Sequence, residues 1–113
     1  MKRVYIAAPM TNGTGRYFDI AKIHEAIEAY FVLVEAGFAP HCPQLTVFAE
    51  FMQPDRITYE QWLALDKAYI EDSDLILRIT GPSTGADREC QYALHLGKPI
   101  YYSVTDLLRG EGA

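Results

Sequence analysis

Short apolar runs alternate with longer stretches of three- and four-residue apolar spacing along the whole chain. Val4 to Ala8 is a short run closed by Pro9 and Asn12-Gly13, the pattern of a buried parallel strand. From about Arg16 to Ala36, Ile20, Ile23, Ala26, Ile27, Tyr30, Phe31 and Val34 recur at helical spacing, and Gly37 is a good stop. Phe38 to His41 reads as a second strand. The connection Cys42 to Thr58 is long enough to suggest a lid, part of it helical, with Val47, Phe48, Phe51 and Met52 as its apolar content. A helix from Tyr59 to about Asp72 carries Trp62, Leu63, Leu65, Tyr69 and Ile70. A strand over Leu75–Ile79, a helix over Thr84–Leu96 and a strand over Pro99–Ser103 follow, and the tail TDLLRGEGA begins another helical turn before fraying.

Strand and helix in strict alternation predict one α/β domain over residues 1–113. The expected architecture is a flavodoxin-like open parallel sheet, strand order 2-1-3-4, with helices on both faces. In that order the sheet has a switch point between its first and third strands, and ligands bind there, beyond the carboxyl ends of the strands. The loops that meet at this point are APMTNGTGR and TGPSTGA, the two stretches richest in glycine and hydroxyls. Ala8, Pro9, Met10, Gly13, Gly15 and Arg16 in the first, and Ser83 and Gly85 in the second, are therefore candidate substrate contacts.

Composition narrows the partners. Half of the 113 residues are apolar and 22% are charged, which is globular composition. The formal net charge is −5 and the ten Lys and Arg are scattered, so a nucleic-acid polymer is not the expected ligand. No apolar run is long enough for a membrane span, and Met1-Lys2-Arg3 before VYIAA is too short for a signal peptide. Cys42 and Cys90 make no CxxC pair and read as two reduced thiols of a cytoplasmic protein. His24, His41 and His95 have no metal-ligand spacing, so structural or surface roles are expected for them.

Three patterns carry possible chemistry. Gly81-Pro82-Ser83-Thr84-Gly85 fits the G-x-S-x-G of a hydrolase elbow, in the right strand–turn–helix setting. The Asp87 and His95 that follow it before the last strand lie on the helix that Ser83 introduces and cannot fold back to it. Ser83 is better read as a helix cap or a ligand-binding hydroxyl. Gly13-Thr14-Gly15-Arg16-Tyr17-Phe18 lacks the third glycine of a dinucleotide fingerprint, and reads either as a phosphate- or hydroxyl-binding loop or as a tight turn. Asp66 and Glu89 flank the third strand. Each alone reads as readily as a solvated acid, and periodicity does not bring them together.

The chain resembles the nucleoside 2-deoxyribosyltransferase superfamily, including its deoxynucleoside monophosphate N-glycosidase branch and small phage-type relatives. The matching pieces are Val4-Tyr5-Ile6-Ala7, the Asp-x7-Asp of Asp66–Asp74, and Gly85-x3-Glu89-x2-Tyr92-Ala93-Leu94-x2-Gly97-Lys98. The resemblance implies that Glu89 attacks the anomeric carbon of the sugar, that Asp66 helps protonate the departing base, and that Tyr5 orients Glu89. Ser83 and the backbone of Gly85 would hold the sugar or a 5′-phosphate. Retaining glycosyl transfer uses two carboxyl groups about 5–5.5 Å apart, one as nucleophile and one as acid or base.

Two departures from the transferases favour hydrolysis, or binding without turnover. Ser83 stands where they carry an aspartate six residues before the nucleophile, and the chain stops at Ala113 where they continue into a segment that completes a neighbour's site. The expected function is cleavage or transfer at the N-glycosidic bond of a nucleoside or its 5′-monophosphate, without metal or organic cofactor, in a homodimer or higher homo-oligomer. The alternative is a nucleotide-binding or sensing module that does no chemistry.

Overall fold

The computed structural model of the protein describes residues 1–11 and 18–112. Four parallel strands, β1 (Arg3–Ala7), β2 (Ala39–His41), β3 (Leu75–Arg78) and β4 (Ile100–Tyr101), form one sheet in the order β2-β1-β3-β4. The expected α/β fold and strand order are therefore the observed ones. β1 is central: Tyr5 lies beside His41 of β2 on one side and Ile76 of β3 on the other. Strands of this kind are apolar on both faces, and Val4 to Ala7 are fully buried.

Because side chains alternate across a strand, β1 feeds two cores. Val4 and Ile6 point to the layer built with Ala26 and Leu33 of α1 (Ile20–Glu35) and Leu107 of α5 (Val104–Gly110). Tyr5 and Ala7 point to the other layer, with Ile70 of α3 (Tyr59–Asp72) and Ala86, Cys90 and Ala93 of α4 (Thr84–His95). The pleat thus commits Tyr5 to the α3/α4 face.

The helices start where side chains can cap them. Asp19 accepts from the N–H groups of Ala21 and Lys22, and Ser103 from that of Asp106. Thr58 and Gln61 form a reciprocal capping box on α3. The carbonyls at the C-terminal end of α3 receive the Lys98 ammonium, which reaches Glu71 and Ser73 from the turn into β4. Among the described residues no helix is long and apolar enough to cross a membrane.

Two sequence expectations change, and a third is met. The buried stripe of α1 is Ile23, Ala26, Ala29 and Leu33, whereas Ile20, Phe31 and Val34 are exposed. The small Ala26 and Ala29 let the helix sit close against the sheet, and that fixes its rotation. The tail begins with helical turns as expected, as α5, whose end is held by Glu111 accepting from Lys2 and Tyr101, each at 2.5 Å. The long connection contains a 3-10 turn (Pro43–Thr46) and α2 (Val47–Met52), yet Phe48, Phe51 and Met52 are 72%, 66% and 80% exposed. They neither pack in the core nor line the cavity described below, so in this structure α2 is not a lid.

The rotation of α1 has a direct test. Leu33→Ala should destabilise the protein by about 2–4 kcal/mol in urea unfolding, and Val34→Ala by under about 1 kcal/mol. Equal losses would contradict the observed face.

Candidate active site

At the carboxyl ends of β1 and β3, the sheet, α3 and the start of α4 leave a cavity of about 840 Å³. It has this size because α3 buries only Ile70 against the sheet; Tyr59, Trp62 and Leu63 line open space instead of filling a core. Such a volume suits a nucleotide-sized ligand.

Two close contacts hold the β1 loop in place. Gly81 has φ of +130°, and a Cβ there would stand 3.0 Å from Pro9 Cγ, so only glycine lets the loops meet without displacement. The buried Gln44 amide donates to the Ala8 carbonyl at 3.1 Å, tying the β1 loop to the chain after β2.

Beneath the cavity the three residues of the expected catalytic set converge. The Tyr5 hydroxyl donates to Glu89 Oε2, and Asp66 bears on the same hydroxyl from α3. Strand β1 supplies the hydroxyl from below, α4 carries Glu89 one turn and a half from its start, and Asp66 stands one turn before Ile70, where α3 anchors on the sheet. Burial is the first cause of every shift in this group. It pushes Glu89 up to about 7, against the Tyr5 hydrogen bond and the Arg78 charge, which favour the anion, and with the Asp66 charge, which opposes it. It pushes Asp66 up to about 6, again offset by Tyr5. The Tyr5 phenol is raised far above its usual range by burial and by the two carboxylates, so it remains a donor at any working pH. Both carboxyls are thus raised towards neutrality, and two acids that share one phenol titrate as a coupled pair and not as independent groups.

The other expected contacts divide. Ala8, Pro9, Met10, Ser83 and Gly85 line the cavity with Glu89 and Asp66. Ser83 caps α4, accepting from the Ala86 N–H at 3.1 Å, and its residue faces the cavity as well, so both readings of it have a structural basis. A Cβ at Gly85 would meet only Ser83 Oγ at 4.0 Å; glycine leaves the backbone there open to the cavity. Gly13, Gly15 and Arg16 lie outside the described residues. On either side of them in the chain, Thr11 forms an antiparallel bridge with Phe18, and Asp19 N–H donates to the Met10 carbonyl at 3.0 Å.

Sequence reasoning missed three residues around the site. His41 stacks on Tyr69 with ring centroids 3.8 Å apart and lies 5.7 Å from the Tyr5 ring, so it backs the tyrosine; burial lowers its pKa. Gln44 gave no signal, since one polar residue after Cys-Pro is unremarkable in a loop. Arg78 did leave a trace: it is the one charge in the buried run Leu75–Arg78, at the ligand-binding end. Its guanidinium donates to the carbonyls of Ile79 and Gly81 and to Asp87 Oδ1. Cys42 and Cys90 are free and buried, and burial raises both thiols to about 11, which makes them inert packing groups.

No family model matches the chain, and no curated protein matches its sequence. Among solved structures it is similar to the 2-deoxyribosyltransferase of Bacillus psychrosaccharolyticus, with a TM-score of 0.65 and 23% identity over 87% of this chain and 69% of that one. It is similar also to the CMP N-glycosidase of Clostridium botulinum, with a TM-score of 0.57 and 24% identity over 88% of this chain and 66% of that one. The chain has the fold of these enzymes and spans about two thirds of their length. The structural likeness thus shows the fold that the sequence resemblance implies.

Glu89 should weaken the fold it serves. Its pKa lies above the unfolded value of 4.5, so its contribution is fully present below about 4.5 and is lost as pH rises through about 7. Glu89→Gln, neutral at every pH, should be more stable than wild type by about 2–3 kcal/mol at pH 8, and the gap should close towards pH 4.5. Thermal unfolding at the two pH values measures it. Equal melting temperatures at pH 8 would mean that the buried carboxylate carries no penalty.

Proposed function

We propose that the protein is an enzyme of the nucleoside 2-deoxyribosyltransferase superfamily that cleaves the N-glycosidic bond of a nucleoside or its 5′-monophosphate. The observation that carries this reading is the buried Tyr5–Glu89 hydrogen bond, with Asp66 on the same hydroxyl, under a cavity of nucleotide size. The names of the two structural neighbours support the bond class.

In this mechanism a carboxylate oxygen of Glu89 attacks the anomeric carbon as the bond from that carbon to the base nitrogen breaks. The electron pair of that bond leaves with the base, which takes the proton of Asp66. A glycosyl ester on Glu89 results. Water then attacks the same carbon, gives its proton to Asp66, and frees Glu89. Tyr5 donates to Glu89 throughout and aims the carboxylate. No cofactor enters, because the protein's own carboxylate forms the intermediate. Hydrolysis is favoured over transfer because Ser83 stands where the transferases carry an aspartate.

A homo-oligomer belongs to the same reading: α2 exposes Phe48, Phe51 and Met52, with Phe18 6.3 Å from Phe51, as a surface for a second copy. A cytoplasmic setting fits the two unpaired thiols.

Release of free base from a panel of nucleosides and 5′-monophosphates, followed by chromatography, is the test. The wild type should release base from at least one class, Glu89→Ala should lose activity by about 10³-fold or more, and a second free base should yield little exchanged product. Silence of the wild type across the panel, with monophosphates still raising its melting temperature, would replace the enzyme by a nucleotide-binding module.

A further inference from the structure

Arg78 is an uneconomical residue for its position. It ends the buried central strand β3, and its side chain is only 9% exposed. Its single ion-pair partner among the described residues, Asp87 at 3.0 Å, is 67% exposed and well hydrated. An apolar side chain would continue the run Leu75–Leu77 with no charge to desolvate. The compensation lies in what the guanidinium holds. One edge of its fork donates to the carbonyl of Ile79, the other to the carbonyl of Gly81 at 2.9 Å and to Asp87 on the first turn of α4. Those three acceptors are the two ends of the turn between β3 and α4. Gly81 is also the residue pressed against Pro9, and α4 is the helix that carries Glu89.

We infer that Arg78 is a positioning residue for Glu89: its fork locks the β3–α4 turn, and with it the start of the helix that carries Glu89, in one conformation. This rests on the reading of Glu89 as the nucleophile. The charged and titratable groups around Glu89 are then Tyr5 from β1, Asp66 from α3 and Arg78 from β3, with Asp87 and Arg88 on its own helix; Arg88 and Lys67 of α3 also line the cavity. Arg78 is the cation whose charge bears on Glu89. Tyr5 stabilises the Glu89 anion by a hydrogen bond, Asp66 opposes it, and Arg78 offsets Asp66. Lysine would keep the charge but not the planar fork that reaches three acceptors at once.

The test compares the wild type with Arg78→Gln and Arg78→Lys in two readouts. The first is the titration of the Glu89 side-chain carboxyl, followed by carbon-detected NMR, which needs no activity. The second is steady-state base release. Arg78→Gln should raise the Glu89 midpoint by about half a pH unit or more and lower kcat by about 10-fold or more, with KM within about 3-fold. Arg78→Lys should restore the midpoint but only part of kcat. A folded Arg78→Gln protein with the wild-type midpoint and kcat would overturn the inference. Should that variant not fold, Arg78→Lys decides: full wild-type kcat would show that the fork positions nothing. A wild type that releases no base sinks the nucleophile reading alone, and the Glu89 titration still judges Arg78.

Discussion

Everything distinctive in this structure depends on a phenol buried between two carboxyl groups. The Tyr5 hydroxyl has no access to water and donates to Glu89 while Asp66 bears on it from the opposite helix. An apolar trio in the same place would stabilise the fold, because burial disfavours the charged form of each carboxyl. The protein instead keeps two half-buried acids, raised to about 6 and 7, between the α3/α4 core layer and the cavity. A cluster that works against stability and opens onto a cavity is what a reacting site requires.

The scaffold delivers that cluster through a few constraints. The pleat of β1 sends Tyr5 to the α3/α4 face and Val4 and Ile6 to the other. The order β2-β1-β3-β4 leaves the ends of β1 and β3 side by side, so the loop after each borders the same space. Gly81 allows the loops to touch, Gln44 ties the first of them down, and Arg78 ties down the second. α3 anchors at Ile70 and then stands away from the sheet, which leaves room for a ligand over Asp66.

Much of this was legible in the sequence, for physical reasons. Buried parallel strands are short, apolar and bounded by turn residues, so β1 and β3 declared themselves; Ser83 marked a helix start because its side chain caps a backbone N–H group. The convergence of Asp66 and Glu89 was not legible from periodicity, since it depends on two helices packing on one face; only the resemblance joined them. The rotation of α1 was misread because Ile20, Phe31 and Val34 outweigh Ala26 and Ala29 in any count of apolar positions, whereas close approach to a sheet favours the alanines. Phe48, Phe51 and Met52 of α2 carried no sign of direction, and they point to solvent while Val47 is buried. Arg78, Gln44 and His41 act through hydrogen bonds and stacking with residues distant in the chain, which no local pattern encodes.

The central claim is that Glu89 bonds covalently to the sugar. Acid-quenched mass spectrometry of the protein during turnover of its best substrate tests it most directly. The account predicts an added glycosyl mass located on Glu89 and absent from Glu89→Gln. Base release with no adduct at any time, or with the adduct on Asp66, would contradict it.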